Sequence, residues 1–555
     1  MKKQPFPIKQ INTLDLSLNQ HGVVYSNDYG DIYFQPGIGL DEKKHIFLDG
    51  NNLPKNWQAK QAYTIAETGF GTGLNFLNTL ALWHKTTQKD QHLHYVSCEL
   101  HPLNQQQLQT ALANFPSLTQ YSRQLIDQYP QYLLYGFHRI HFKQWNVTLT
   151  LIFAEAVDAF EQLDATVDTW FLDGFSPNKN PNMWSTHLFK AIARLSHIGT
   201  TMTTFTVAKK IRDGLSANGF AIKTTTGFGQ KREMLTAKLV TKNKIITKQP
   251  WAPTFKATNR NSFTVLGAGI AGLSIAQKLH QQGKCVTLID RQKQPCLETS
   301  GNPQAMIMPA FTLNDSIEAR FYLSAFLYAI RHYSGKYYHP VGVYELAFTQ
   351  QQQIWQNKLL SRFNLPQDIV HKYKNGILYP QAGWLDTQGH AANIMQQLNN
   401  YFQVKISKIQ YHDNQWHLYN NDEIVHATDV LILANGINVK QLLSDYTTPI
   451  IPKHGQISYF RSADIDTQIA DCKHIQLNKG YITPNWNGIQ TIGATFDDIE
   501  DNNCHNPPQT TKDHWQRNIQ LWSNTTYADL FSTTQSHKGR AGVRVTTPDH
   551  LPVCG

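Results

Sequence analysis

The sequence predicts an α/β protein made of two Rossmann-like domains in series, and three observations lead there. The stretch "YTIAETGFGTGLNFLNTLALW" (63–83) passes from an apolar strand through a glycine-rich turn into a helix. A second stretch, "FTVLGAGIAGLSIAQKLHQQGKCVTLID" (263–290), repeats that order and adds another strand. The second turn falls almost midway along the 555 residues, so each half is long enough to bury its own core, at ~100–200 residues per domain.

Composition bounds the class. With 41% hydrophobic and 16% charged residues, the chain reads as an ordinary globular protein. The opening "MKKQPFPIKQINTLDL" is basic but has no apolar h-region, and no run approaches the ~18 apolar residues of a membrane span, so a cytoplasmic protein is expected. Six cysteines are scattered without a CxxC pair, which predicts reduced thiols. No His/Cys spacing resembles a metal site, so no metal is expected. The net charge of +10 gives a positive field that attracts polyanions such as nucleic acid, though a basic protein without such a partner fits it equally.

In the first half, the turn after strand 63–67 reads Glu67-Thr68-Gly69-Phe70-Gly71-Thr72-Gly73. An E-x-G-x-G-x-G turn suits a ligand without a pyrophosphate: Gly69, Gly71 and Gly73 admit a methionine-like tail, and Glu67 can face a cation. S-adenosyl-L-methionine is such a ligand. The next strand, "LHYVSCEL", ends at Glu99, 26 residues past Gly73, where class I methyltransferases place the carboxylate that binds both ribose hydroxyls. "VTLTLIFAEA" (147–156) brings Glu155 toward the adenine, and "VDTWFLDGFSPNKNPNMWS" (167–185) brings Asp173 to the C-terminal strand edge, where open α/β sheets bind ligands. His138, Arg139 and His141 alternate along a strand and receive no role. The glutamine-rich "NQQQLQ" and "TQQQQ" read as helix surfaces.

The stretch "TKNKIITKQPWAPTFKATNRN" (241–261) is basic, holds two prolines and reads as a linker. The boundaries expected are therefore 1–245, a linker at 246–261, and 262–555. With Lys209, Lys210, Arg212, Lys231 and Arg232, the linker supplies positive charge near the first site.

In the second half Gly267, Gly269 and Gly272 form G-x-G-x-x-G between strand and helix. The first permits the tight turn, the second lets backbone approach a pyrophosphate, and the third lets helix pack on strand. The phosphates then lie at the helix N-terminus, where free N–H groups and the dipole favour negative charge. Asp290, ending the second strand, is placed for ribose hydroxyls, and Ser300 within "ETSGNPQAMIMP" is a further cofactor-binding candidate.

The segments "DVLILANGI", "KHGQISYF", "GYITPNWNGIQTIGATF" and "GRAGVRVTTPDHLPVCG" follow in order. Together they make this half resemble the D-amino-acid oxidase and glycine oxidase superfamily of FAD enzymes. The resemblance implies an FAD-binding domain with an inserted α+β substrate subdomain, in which Arg544 occupies the position that grips the substrate carboxylate. A planar guanidinium suits that bidentate contact. Enzymes of this superfamily continue past the segment that ends here at Gly555, so the domain is expected to be C-terminally truncated.

In the first half "DYGDIYF", "IFLDGNNLP", "YGFHRIHF", "WFLDGFSPNKNPNMW" and "GFGQKREML" resemble the methyltransferase half of the MnmC family, bacterial bifunctional enzymes of the tRNA wobble uridine with a glycine-oxidase-type half behind. That resemblance implies tRNA as partner, FAD and S-adenosyl-L-methionine as cofactor and co-substrate, and Asp173 as the group that takes a proton from the methylated amine. Two other readings stay open: a fused amino-acid oxidase and small-molecule methyltransferase, and a catalytically defective flavin- or tRNA-binding scaffold.

Overall fold

The computed structural model describes residues 7–13, 15–18, 24–35, 37–88, 91–176, 179–229, 232–242, 260, 262–333, 335–398, 401–443, 449–464, 467–499, 509–522 and 538–554. The expected linker, apart from Arg260, lies outside these residues, as does Lys231. The chain divides into two compact units, Met1–Thr254 and Phe255–Gly555.

The first unit opens with three short antiparallel strands, β1 (Leu16–Leu18), β2 (Val24–Ser26) and β3 (Asp31–Ile32). Its core is a sheet of eight strands among the described residues: β4 (Ala62–Glu67), β5 (His92–Glu99), β6 (Gly136–Phe142), β7 (Val147–Phe153), β8 (Val167–Phe171), β9 (Ser196–Thr204), β10 (Phe220–Thr226) and β11 (Glu233–Leu239). Their order is β10-β11-β9-β8-β4-β5-β7-β6. The five strands from β9 to β7 run parallel, and β11 and β6 reverse direction at the two sides. Both faces are covered, which is why β7, "VTLTLIF", is buried at every residue and carries apolar and Thr side chains without alternation. One core cluster holds Trp57, Trp83 and Phe76, and another holds Phe160, Trp170 and Ile192.

Strand order reverses between β4 and β8, so the ends of these two strands diverge into a crevice where a ligand can sit. Each candidate carboxylate stands there because its strand stops there. Glu67 and Glu99 close β4 and β5, Asp173 follows β8 by two residues, and Glu155 precedes the helix Ala156–Glu161.

The second unit is built on four parallel strands in the order Tyr401–Gln403, β13 (Cys285–Asp290), β12 (Ser262–Leu266) and Val430–Leu433. The helix Ile270–Gln281 links β12 to β13. A mixed sheet of nine strands among the described residues forms the α+β part, with its long strand Ile451–Arg461 paired antiparallel to Gly539–Thr546. The glutamine-rich segments do form helices, Gln105–Leu112 and Gln350–Phe363, each started by a capping box.

Candidate functional site

In the first unit a cavity of about 520 Å3 lies over the β4/β8 switch. Gly69, Gly71, Glu99, Glu155 and Asp173 line it, so five of the sequence candidates converge. The other two stand behind the wall. Gly73 precedes the helix Leu74–Thr86 with φ of +74°, and Glu67 lies fully buried below the cavity. Glu67 therefore meets the cavity only through its neighbours: Asn75 Nδ2 donates to its Oε1 at 2.7 Å and the Ser97 hydroxyl to its Oε2 at 2.8 Å. Burial, reinforced by the nearby Asp173, pushes the Glu67 carboxyl up to about 8.

Asp173 is the hub of the cavity floor. Its Oδ2 accepts from Asn75 Nδ2 at 2.7 Å and from the Lys43 ammonium, while its Oδ1 accepts the Gly174 N–H at 2.9 Å. The Thr68 hydroxyl donates to the Asp173 carbonyl at 2.7 Å, tying the β4 turn to the β8 turn. Glu99 is fixed at both oxygens by backbone, Gly71 N–H at 2.8 Å and His101 N–H at 2.9 Å. Each of these oxygens keeps a second lone pair for a ribose hydroxyl.

Sequence reasoning missed Lys43, Asn75, Ser97 and an aromatic wall. The Tyr29 and Phe175 rings stack at 4.5 Å, Tyr33 meets Phe175 edge-on at 5.4 Å, and all three line the cavity. Burial, helped by Glu99, keeps the Tyr33 phenol protonated. The fit to S-adenosyl-L-methionine rests on the loop: a Cβ at Gly69 would stand 3.3 Å from the Asp173 carbonyl oxygen, and one at Gly71 would stand 3.2 Å from the Tyr33 ring. Both contacts are tighter than ordinary packing, and Gly71 also has a φ of +52°, so the turn favours bare backbone at these positions.

The second unit has its own cavity, of about 790 Å3, lined by Gly267, Gly269, Asp290 and Ser300. Gly267 has φ of +106°, and a Cβ there would lie 2.4 Å from the Ala434 carbonyl oxygen, so a side chain is excluded twice over. Gly272 lies one helical turn behind: its Cβ would fall 1.8 Å from the Gly267 carbonyl oxygen, which is the close packing of helix on strand that the motif calls for. Asp290 accepts Ala268 N–H at 2.6 Å and Gln292 N–H at 2.8 Å, and burial raises its carboxyl. The Ser300 hydroxyl accepts Ile270 N–H at 3.1 Å at the helix start. These residues fit an FAD, with glycine backbone beside the pyrophosphate and a carboxylate at the second strand end.

Arg544 stands outside that wall. It lies opposite Lys453 on the α+β sheet, 5.9 Å from the Phe496 ring centroid, and its charge reaches the buried Tyr481 phenol. Among the described residues no carboxylate forms an ion pair with it. Its neighbour Arg540 is instead structural, donating to the Leu297 carbonyl at 2.6 Å and to the Glu298 carbonyl. The fold also gathers His454, Asp497 and His514, whose ligand atoms lie within 4.8 Å of one another; Arg517 takes both Asp497 oxygens.

Residues 116–240 match the model of a family described as S-adenosyl-L-methionine-dependent methyltransferase, and residues 262–555 match one described as FAD dependent oxidoreductase. The class is thus an S-adenosyl-L-methionine-dependent methyltransferase joined to an FAD-dependent oxidoreductase. A tRNA 5-methylaminomethyl-2-thiouridine biosynthesis bifunctional protein MnmC from Magnetococcus marinus is 33% identical over 597 aligned positions, covering 100% of this chain and 87% of the relative. The Marinomonas protein of the same name is 34% identical, covering 98% of this chain and 86% of the relative. A solved glycine oxidase from Bacillus cereus is 18% identical with a TM-score of 0.40, covering 52% of this chain and 86% of that one. The chain belongs to the MnmC family of bifunctional proteins, with an S-adenosyl-L-methionine-dependent methyltransferase domain and an FAD-dependent oxidoreductase domain.

Proposed function

We propose that the chain carries out two successive steps on a 5-carboxymethylaminomethyl uridine at the tRNA wobble position, in the cytoplasm. The oxidoreductase unit removes the carboxymethyl group as glyoxylate, and the methyltransferase unit methylates the aminomethyl group left behind. The observation that carries this reading is one chain with two cofactor cavities of different chemistry, similar along its whole length to proteins named for this biosynthesis.

FAD, when bound, supplies the two-electron acceptor. The remainder is the work of this chain. Gly267, Gly269, Gly272, Asp290 and Ser300 hold the cofactor, and Arg544 binds the substrate carboxylate through two parallel N–H···O bonds, presenting the methylene next to nitrogen. Hydride leaves that carbon, a C=N bond forms with the nitrogen lone pair, and water hydrolyses it to glyoxylate and a primary amine.

In the first unit Glu99 takes the ribose hydroxyls of S-adenosyl-L-methionine, Glu155 stands by the adenine, and Gly69, Gly71 and Gly73 admit the methionine tail over Glu67. Asp173 orients the amine and accepts its proton, so that nitrogen, methyl carbon and sulfur align. The wobble base, splayed from the anticodon stack, reaches this cavity beside Tyr29 and Phe175. Lys209, Lys210, Arg212 and Arg232, all exposed, contribute phosphate contacts that weaken with salt.

Mass spectrometry of nucleosides from tRNA bearing the carboxymethylaminomethyl base tests the reading. The aminomethyl base is expected without S-adenosyl-L-methionine and the methylaminomethyl base with it; an unchanged nucleoside in both reactions refutes it.

A further inference from the structure

We propose that Lys43 is a positioning residue for methyl transfer: its ammonium, bonded to Asp173, holds that carboxylate in place and makes the amine seated against Asp173 easier to deprotonate. This rests on the reading above that Asp173 faces the amine. Lys43 ends the short helix Gly39–Lys43, lines the cavity, and is bonded to Asp173 Oδ2, with the two side chains only 15% and 11% exposed. Nothing in the glycine turn or the strand-end carboxylates called for a lysine there.

The surrounding charges explain what it does. Asn75 Nδ2 bridges Glu67 Oε1 and Asp173 Oδ2, each at 2.7 Å, so two carboxyls share one amide. Burial pushes the Glu67 carboxyl up, and Lys43 is ion-paired with Asp173 on the cavity floor. The other ionisable groups near Asp173 come from adjoining elements. Glu42 of the same helix lines the cavity, and Tyr95 on β5 lies fully buried, its phenol pushed up by burial and by Glu67 and Asp173. Glu99, Glu155, Asp31, Lys179 and His101 line the rest of the wall.

Methyl transfer brings two more cations to this place, the sulfonium of S-adenosyl-L-methionine and the ammonium form of the substrate. Three positive charges then converge on one carboxylate, beside side chains that are themselves mostly buried, where Coulomb terms are stronger than in bulk water. The amine is the group that relieves the crowding most readily, because losing a proton also creates the nucleophile. A like charge within ~4–6 Å lowers the basicity of an amine by about one pH unit or more.

The test is the pH dependence of single-turnover methylation of aminomethyl tRNA by the full chain. For Lys43→Gln, and for Lys43→Met as a second neutral variant, the acidic limb of the rate profile is expected to move up by about one pH unit. Lys43→Arg is expected to keep the limb at its wild-type position, and S-adenosyl-L-methionine affinity by calorimetry is expected not to weaken in any of the three. A rate lowered equally at every pH, with the limb in place, makes Lys43 merely structural and overturns the proposal. So does a limb in place with weakened S-adenosyl-L-methionine affinity, which makes Lys43 a contact of the co-substrate. Asp173→Asn separates the two levels of inference. A wild-type profile in that variant refutes the role of Asp173 and Lys43 together, whereas a loss of rate in it beside an unmoved limb in Lys43→Gln refutes Lys43 alone.

Discussion

Two side chains carry opposite electrostatic problems. Arg544 is a cation without a carboxylate partner among the described residues, and the proposed substrate supplies one. Arg544→Lys is therefore expected to raise the apparent KM and slow flavin reduction, because a point-charge ammonium cannot reproduce two parallel N–H···O bonds. Arg544→Ala should cost more, with FAD content unchanged. Stopped-flow bleaching of the flavin at matched FAD occupancy checks this, and an unchanged reduction rate in Arg544→Ala removes the clamp. Glu67 is the reverse case, a buried acid kept protonated. Its carboxyl binds a proton in the folded state up to about pH 8 but loses it near the ordinary carboxylate range when unfolded. Stability of the first unit therefore falls as pH rises through that window, by up to about 1.4 kcal/mol per pH unit, and levels off above it. Glu67→Gln keeps an acceptor for Asn75 and cannot ionise. It is expected to raise the thermal midpoint at pH 7.5 relative to wild type, with the difference vanishing toward pH 4.5; a constant difference across that range contradicts the assignment.

At the scale of the element, the strand–turn–helix units were legible because their signal is local. The end of β13 at Asp290 and that of β5 at Glu99 are written in runs of apolar residues that stop at an acid. What stayed hidden depends on contacts far apart in sequence. Lys43 and Asp173 are 130 residues apart, and the helix that carries Lys43 is five residues long with no motif of its own. Asn75 looks like any polar residue of a helix until its amide is seen between two carboxyls, and the stack of Tyr29 on Phe175 joins a segment before the sheet to the loop after β8. Glu67 shows a limit of another kind: it stands at the turn, yet its side chain is fully buried and bonded to Asn75 and Ser97 instead of lining the cavity. The aromatic wall carries its own expectation. Base stacking on an aromatic ring is worth about 1–3 kcal/mol, so Phe175→Ala should raise KM for aminomethyl tRNA about tenfold while leaving calorimetric S-adenosyl-L-methionine affinity in place. Loss of affinity for the co-substrate instead would assign the wall to the adenosyl group.

For the whole molecule, each unit has its own sheet and its own cofactor cavity, so the two chemistries are expected to separate by mutation. Gly269→Asp sets a negative side chain against the FAD pyrophosphate and should yield colourless protein that still methylates aminomethyl tRNA at the wild-type rate. Loss of methylation in that folded variant would speak for one shared site. Within the first unit, the crevice lies at the middle of the sheet, with β9, β11 and β10 to one side of the β8/β4 pair and β5, β7 and β6 to the other. Fraying begins at sheet edges, so opening from either side must strip three strands before it reaches the strands that set Asp173 and Glu67 in place. In hydrogen-exchange terms the amides of β4 and β8 are expected to exchange more slowly than those of β6 and β10. The strands that end beside Glu67 and Asp173 are thereby shielded from edge fraying on both sides.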